Sequence, residues 1–351
     1  MNQSTNFIFA ISFVFLVSGC GAAEPPEEMG FQPEILPLPA DPSDYAPIPG
    51  YETMNIPADN PITAEKAALG RQLFFDQRLS GDGSRACYSC HQNDLGLSDG
   101  RPTAVGAFER TLTRNSPTLW NIGYHAEYYW DGRSQPLASQ TLAAWRGGNM
   151  GAGDDLEQIV AQLNGIEGYQ EQFQAVFGGE ATAENASQAM ATFMRTIVSH
   201  DTPWDRWQAG DESAVSDAAK NGYEVFKNAE CTNCHDGALF TDLQYHNVGV
   251  GMDAEEPDVG RHRVTEEDKD RGAFKTPTLR DISQSGPYFH NGSVETLAEA
   301  IDFMVGGGQD NPSLDRENLK PADLSDEEKA DLIAFLESLD EAYELSTPEL
   351  P

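Results

Sequence analysis

The chain is short of positive charge. Against 57 Asp and Glu it sets only 22 Lys and Arg, a formal net charge of −35 over 351 residues. Such a polyanion repels phosphate backbones and anionic headgroups, which excludes nucleic acid and acidic membrane surfaces as partners. A small basic protein would be steered towards it, although solubility or a salty habitat would account for the same charge. Alternating strand-type runs are scarce, which argues against a β architecture. Long hydrophobic runs are missing too: Phe7 to Val17 is apolar but too short to span a bilayer as a stable anchor. Cysteine is limited to five residues.

Four of those five form two copies of one motif, Cys87-Tyr-Ser-Cys90-His91 and Cys231-Thr-Asn-Cys234-His235. In Cys-x-x-Cys-His the two thiols can add to the vinyl groups of haem while the adjacent imidazole ligates iron from one face. Cys-x-x-Cys pairs also suit tetrahedral zinc. A histidine in the same place in both copies, on a chain that looks exported, favours two covalently bound haem c groups. Cofactor attachment then falls to Cys87, Cys90, Cys231 and Cys234, and iron ligation to His91 and His235.

The apolar run leads into Val17-Ser18-Gly19-Cys20, which looks like a bacterial lipobox. Residues 1–19 read as a signal peptide and Cys20 as a lipid anchor; a plain signal peptide with an incidental Cys20 is the alternative. No Lys or Arg stands in the leader's first residues, so the free amino terminus supplies its positive charge. With Cys20 assigned, no cysteine is left over for a disulfide, although an exported chain would permit one. Residues 20–50, rich in proline and acid, read as an extended tether. The expected place is the periplasm, on a membrane tether. The folded part is expected from near Tyr51 to about Tyr343 and is long enough for two domains, 51–210 and 211–345.

The chain also repeats itself. Ser116-Pro117-Thr118-Leu119 lines up with Thr276-Pro277-Thr278-Leu279. Without a gap, Tyr129-Trp130-Asp131-Gly132 falls on Phe289-His290-Asn291-Gly292, and Leu137 on Leu297. Upstream, Gly70-Arg71-Gln72-Leu73-Phe74 resembles Gly222-Tyr223-Glu224-Val225-Phe226, each leading into its own haem motif. Apolar spacing predicts helices over Ala64 to Phe75, Ser213 to Phe226, Leu297 to Met304 and Asp326 to Leu339. Ser325 with Glu328 is a capping-box pair for the last. The expected fold is mostly α, with two cytochrome c-like haem domains in tandem.

Function then turns on how the two sites differ, because the second axial position of each iron decides its role. A thioether makes a six-coordinate centre that passes electrons; an open position admits a small molecule. Met304 lies on the second-half stretch Leu297 to Val305, and at the same offset the first half has Ala144, which cannot ligate. His125 and Met150 are the other first-half side chains able to ligate; a lone histidine or methionine is more often core.

These strings resemble the bacterial dihaem cytochrome c peroxidase and MauG family over about residues 60 to 340. The resemblance rests on Leu69-Gly70-Arg71-Gln72-Leu73-Phe74-Phe75-Asp76, the two haem motifs, Arg114-Asn115-Ser116-Pro117-Thr118, Trp130-Asp131-Gly132-Arg133, Pro287-Tyr288-Phe289-His290-Asn291-Gly292 and the Met304 region. It implies that the haem of His235 and Met304 receives electrons from a small donor, a cytochrome c or cupredoxin. The haem of His91 would then reduce hydrogen peroxide to water. Trp130 matches the family's tryptophan between the haems, which carries an electron or hole. Asn115, with the carbonyls of Ser285 and Pro287, matches an interdomain calcium site, for which oxygen ligands suit a hard cation. A homodimer is also expected from the family.

Two positions depart from the pattern. Where many such peroxidases place a histidine that closes the first haem, this chain has Ala107 beside Phe108, so that haem is expected to be open without reductive activation. Gln140 matches the family's distal glutamine, but the following glutamate is replaced by Asn149, an amide that orients peroxide without shuttling protons at neutral pH. Asp154, Asp155 or water would have to substitute. The rival expectations are a MauG-like enzyme that uses peroxide to oxidise Trp or Tyr residues of a partner protein, and an electron carrier without peroxidase activity.

Overall fold

The computed structural model describes Met1, residues 54–342 and residues 344–351. The signal peptide, Cys20 and the tether therefore lie outside the described residues.

Helices dominate because strong caps open most of them. Thr63 starts α1 (Ala64–Phe75) by accepting from the Lys66 N–H, and α2 (Leu137–Arg146) follows Pro136. Next come α3 (Leu156–Leu163), α4 (Glu167–Phe177) and α5 (Ala183–Met194), the last opened by a reciprocal Thr182–Asn185 cap. α6 (Pro203–Gln208) has proline at its first position, and α7 (Asp217–Asn228) is capped by Ser216. A short α8 (His262–Thr265) precedes α9 (Leu297–Val305), which Thr296 and Glu299 cap. α10 (Asp326–Glu337) carries the expected Ser325–Glu328 box. Among the described residues the only sheet is a two-stranded antiparallel pair, β1 (Tyr245–His246) with β2 (Phe274–Lys275). None of the described helices is long and apolar enough to cross a membrane.

The two halves are built on the same helix crossing. α1 packs on α5 and α7 packs on α10, and each crossing turns on a glycine. A Cβ on Gly70 would stand 2.0 Å from the Ala189 carbonyl oxygen, and one on Gly222 would stand 1.9 Å from that of Asp331. Only hydrogen fits there, so these paired glycines let the crossing helices meet backbone to backbone in each half. Around the first crossing Leu69, Leu73, Trp145, Tyr169, Phe173 and Met190 form the core. Around the second, Phe335 is fully buried against Trp204, Tyr223, Phe226 and Phe240, ring edges meeting ring faces.

The repeat extends to backbone detail. Asn121 and Asp281 share φ near 60° (60° and 59°), Tyr129 and Phe289 share 65° and 68°, and Gly132 and Gly292 share 69° and 59°. Isolated bridges Tyr128–Ser134 and Tyr288–Val294 keep the same register, and α2 and α9 begin at the aligned Leu137 and Leu297.

The two halves meet along a seam of hydrogen bonds and ion pairs. Arg114 binds Asp131 at 2.8 Å and Asp258 at 2.7 Å; the Lys275 N–H donates to the Trp130 carbonyl, and the Asn115 N–H to that of His290. Folded structure also runs past Tyr343, where the sequence suggested it stopped. Leu345 is buried against the first half, and Asn93 brackets it by accepting from its N–H at 2.9 Å and donating to its carbonyl at 3.0 Å. Ser346 accepts from Arg71, and the Glu349 carbonyl from Gln72. This tail carries no helical period, so its docking was invisible to pattern reading.

Candidate haem sites and the seam between them

Each haem motif lies on a single 3-10 turn, Cys87–Ser89 and Cys231–Asn233. The turn brings both sulfurs to one side and the histidine directly after them. The four thiols are half-buried and make no disulfide; burial pushes Cys87 up to about 12 and Cys90 and Cys231 to about 11.

The histidines are prepared alike. His91 Nδ1 lies 2.9 Å from the Leu97 carbonyl, and His235 Nδ1 2.9 Å from that of Phe240. Each ring therefore donates through Nδ1 and keeps the Nε2 lone pair for a metal. Burial is the main cause holding both rings neutral, with His91 lowered to about 4. Arg195, only 1 % exposed, leaves Nε and Nη1 without hydrogen-bond partners, and the carboxylate acting on it is that of Asp59. Paired thiols and neutral imidazoles suit haem c.

On the far side the halves diverge. Met304 is half-buried on α9; Ala144 holds its place on α2, and Gln140 lies one turn earlier on the same helix face. Met150 is a core residue packed with Trp145 and Leu79, and His125 is buried with its Nδ1 3.3 Å from the Lys275 ammonium. Burial holds His125 well below the ordinary histidine range.

The two departures from the family pattern turn out to be neighbours. The Ala107 N–H donates to the Asn149 carbonyl at 3.0 Å, and a Cβ on Gly106 would meet the Gly148 carbonyl at 2.0 Å. Phe108 is 64 % exposed, with φ of 56° and its N–H 2.6 Å from Asp82 Oδ2. The loop is pinned further by bonds from Ala104 N–H to the Arg114 carbonyl and from Gly106 N–H to that of Arg110. Asp154 and Asp155, named above as substitutes for glutamate, are both exposed on the turn Gly153–Asp155, and Asp155 lines a depression with Arg78 and Gln162.

At the seam, Trp130 Nε1 donates to the Asn115 carbonyl at 3.0 Å, so the indole is tied to the segment whose Asn115 N–H bonds the His290 carbonyl of the second half. Asn115 Nδ2 in turn faces the carbonyls of Arg101 at 2.8 Å and Pro287 at 3.3 Å. Ser285 packs against Gly96 of the first haem loop. Asn115 and Pro287 are thus together, with the amide's N–H side, not its oxygen, turned to the carbonyls.

Two groups escaped sequence reasoning. His246 sits between Asp242 at 2.9 Å and Asp315 at 2.5 Å, beside Cys234. Carboxylates at both ring nitrogens require an imidazolium, and its pKa rises to about 11, chiefly through Asp242. No spacing rule links residues 242, 246 and 315. Tyr129 is the other: the Arg133 guanidinium lies 3.6 Å over its ring. The repeat pairs it with Phe289, a signal that was available but was overshadowed by Trp130.

A helical fold with two Cys-x-x-Cys-His turns and two prepared imidazoles defines a dihaem c-type cytochrome whose sites are unlike. Residues 64–213 match the family model described as di-haem cytochrome c peroxidase, and residues 219–340 match the cytochrome c model. The methylamine utilization protein MauG of Methylorubrum extorquens is 40% identical over 86% of this chain and 85% of its own length. The cytochrome-c peroxidase IdrP1 of Denitromonas iodatirespirans is 38% identical over 88% of this chain and 90% of its own. A solved MauG-like protein associated with microbial copper homeostasis superposes with a TM-score of 0.75 at 31% identity, covering 83% of this chain and 93% of that one. The chain belongs to the di-haem cytochrome c peroxidase and MauG family. It is accordingly an oxidoreductase that carries two haem c groups in tandem domains.

Proposed function

We propose that the protein reduces hydrogen peroxide to water on the haem of His91, with electrons entering at the haem of His235 and Met304. Two electrons and two protons convert one peroxide into two waters. The observation that supports the reading is that Ala144 stands on α2 at the position Met304 holds on α9, so a thioether is offered in one half and not at the matching place in the other. Bound haem supplies the redox-active iron on which peroxide is reduced. The chain's own residues orient and connect. His91 and His235 present Nε2, the Gln140 amide orients peroxide, the Asn149 amide assists it, and Trp130 at the seam carries charge between halves.

The donor on this reading is a small basic cytochrome c or cupredoxin, drawn by the −35 net charge. The chain resides in the periplasm, tethered as a lipoprotein through Cys20 after removal of residues 1–19, and it works as a homodimer. Residues 51–210 form the peroxide-reducing domain and 211–345 the electron-receiving domain. A calcium ion at the seam would be held by Asn115 Oδ1, once a flip of the amide turned its oxygen inward, together with the Ser285 and Pro287 carbonyls.

A second reading is peroxide-driven oxidation of Trp or Tyr residues on a partner protein. It is favoured by the pinned loop of Ala107 and Phe108, which offers no ligand to close the first site. Stopped-flow absorbance of the as-isolated protein with stoichiometric peroxide tests both. Rapid reaction without reductant, followed by turnover with a reduced cytochrome, supports the peroxidase. Rapid reaction with no turnover of donors supports the second reading. Silence in both oxidised and one-electron-reduced protein leaves an electron carrier.

A further inference from the structure

The internal repeat compares the chain with itself at the place where glutamate is missing. In the second half the residues around the thioether are apolar: Ala300 lies one turn before Met304, and Phe289 meets Phe303 edge to face at 5.1 Å. In the first half the same positions read Gln140, Ala144 and Tyr129. Where the thioether is lost, an amide and a phenol stand at the matching positions. Phe289 and Tyr129 share the same left-handed backbone, with φ of 68° and 65°, so both rings leave the chain in the same direction. The phenol is also built in. Arg133 lies 3.6 Å over its ring, and Asp131, 1 % exposed, holds that guanidinium at 2.8 Å.

We infer that the Tyr129 hydroxyl is the proton-handling group of the open site, doing the work that Asn149 cannot. The inference rests on the peroxidase reading. As the O–O bond of hydrogen peroxide breaks, the phenol gives its proton to the outer oxygen, which leaves as water. It takes back the proton released by the inner oxygen, so Tyr129 ends the step unchanged. The inner oxygen becomes the second water with two electrons from the reduced donor and two protons from solvent. Gln140, one turn before Ala144, is the amide placed to orient the phenol. Burial outweighs the Arg133 cation and holds the phenol above the ordinary tyrosine range, so it is protonated at neutral pH. The charged groups facing it are Arg133 and Asp131.

The test uses the holoprotein with Tyr129→Phe, Asn149→Glu and the double variant. Three quantities are read: the second-order rate constant with peroxide from pH 5 to 9, fluoride affinity of the ferric protein, and thermal midpoint. Tyr129→Phe is expected to slow the peroxide reaction about 100-fold. It should also weaken fluoride several-fold through loss of a hydrogen-bond donor, with the midpoint unchanged. Adding Asn149→Glu should restore at least tenfold of the rate and introduce an acid limb absent from the parent, because a carboxylate relay fails once protonated and a phenol relay does not. A reactive parent with Tyr129→Phe within twofold in rate and fluoride affinity overturns the inference alone. A parent that ignores peroxide overturns the peroxidase reading and the inference with it.

Discussion

The first and second halves share a helix crossing, a haem turn, a histidine tied by Nδ1 and a run of matching backbone angles, yet they part at a handful of side chains. At the aligned positions the second half has Met304, Ala300 and Phe289, and the first has Ala144, Gln140 and Tyr129. The difference teaches that a fold which positions the metal leaves its chemistry to whatever stands opposite the histidine. Everything costly to build is duplicated, including the glycine contacts at Gly70 and Gly222. What distinguishes the two roles costs a few substitutions.

The comparison can be broken most directly by closing the open half. Ala144→Met is expected to give the first haem a second axial thioether and to lower the peroxide rate on the order of 10³-fold, about 4 kcal/mol of barrier. Low-temperature electron paramagnetic resonance should show two low-spin ferric signals; a persisting high-spin signal would mean that the thioether does not reach. Equal damage to the shared architecture should follow from Gly70→Ala and Gly222→Ala, each costing about 3 kcal/mol by forcing apart helices already in backbone contact. Chemical denaturation checks this, and a loss under 1 kcal/mol in either variant would contradict the crossing geometry.

Opening the closed half is a smaller change. Met304→Leu should slow donor-driven turnover about 10- to 50-fold, up to about 2 kcal/mol, and abolish the six-coordinate spectrum of the second haem; an unaltered spectrum would remove Met304 from the ligands. The smallest effect concerns the seam. Burial pushes the Asp258 carboxyl up, but Arg114 and the Gly260 N–H outweigh it and hold it at about 2. Its folded value is therefore below the unfolded one. The stability it contributes is full above pH ~4 and is lost as pH falls towards 2, about 2 kcal/mol in all. Asp258→Asn should remove that acid dependence and lower the thermal midpoint at neutral pH. Parallel stability–pH curves for parent and variant would count against it.

Much of this was legible before the structure. Cysteines and histidine within five residues form a local motif, so both haem turns could be read directly. Helices α1, α7, α9 and α10 carry amphipathic spacing or strong caps and were found within a turn of their ends. Helix α5 was missed because its polar stripe is short, Glu184, Asn185 and Gln188, while every residue from Ala189 to Met194 is buried and sets no period. The His246 clamp and the Asn115–Pro287 contact join residues far apart in the chain, and only folding brings them together. Tyr129 lay between the two cases: its position could be aligned, while the Arg133 guanidinium over its ring could not be foreseen.

The docked tail has a consequence for biosynthesis. Leu345 and the two bonds from Asn93 cover the loop that follows Cys90 and His91, so the first haem compartment is walled in part by residues made some two hundred and fifty positions later. A first half made alone would lack this wall, so its fold is completed by residues that follow the whole second half in the chain.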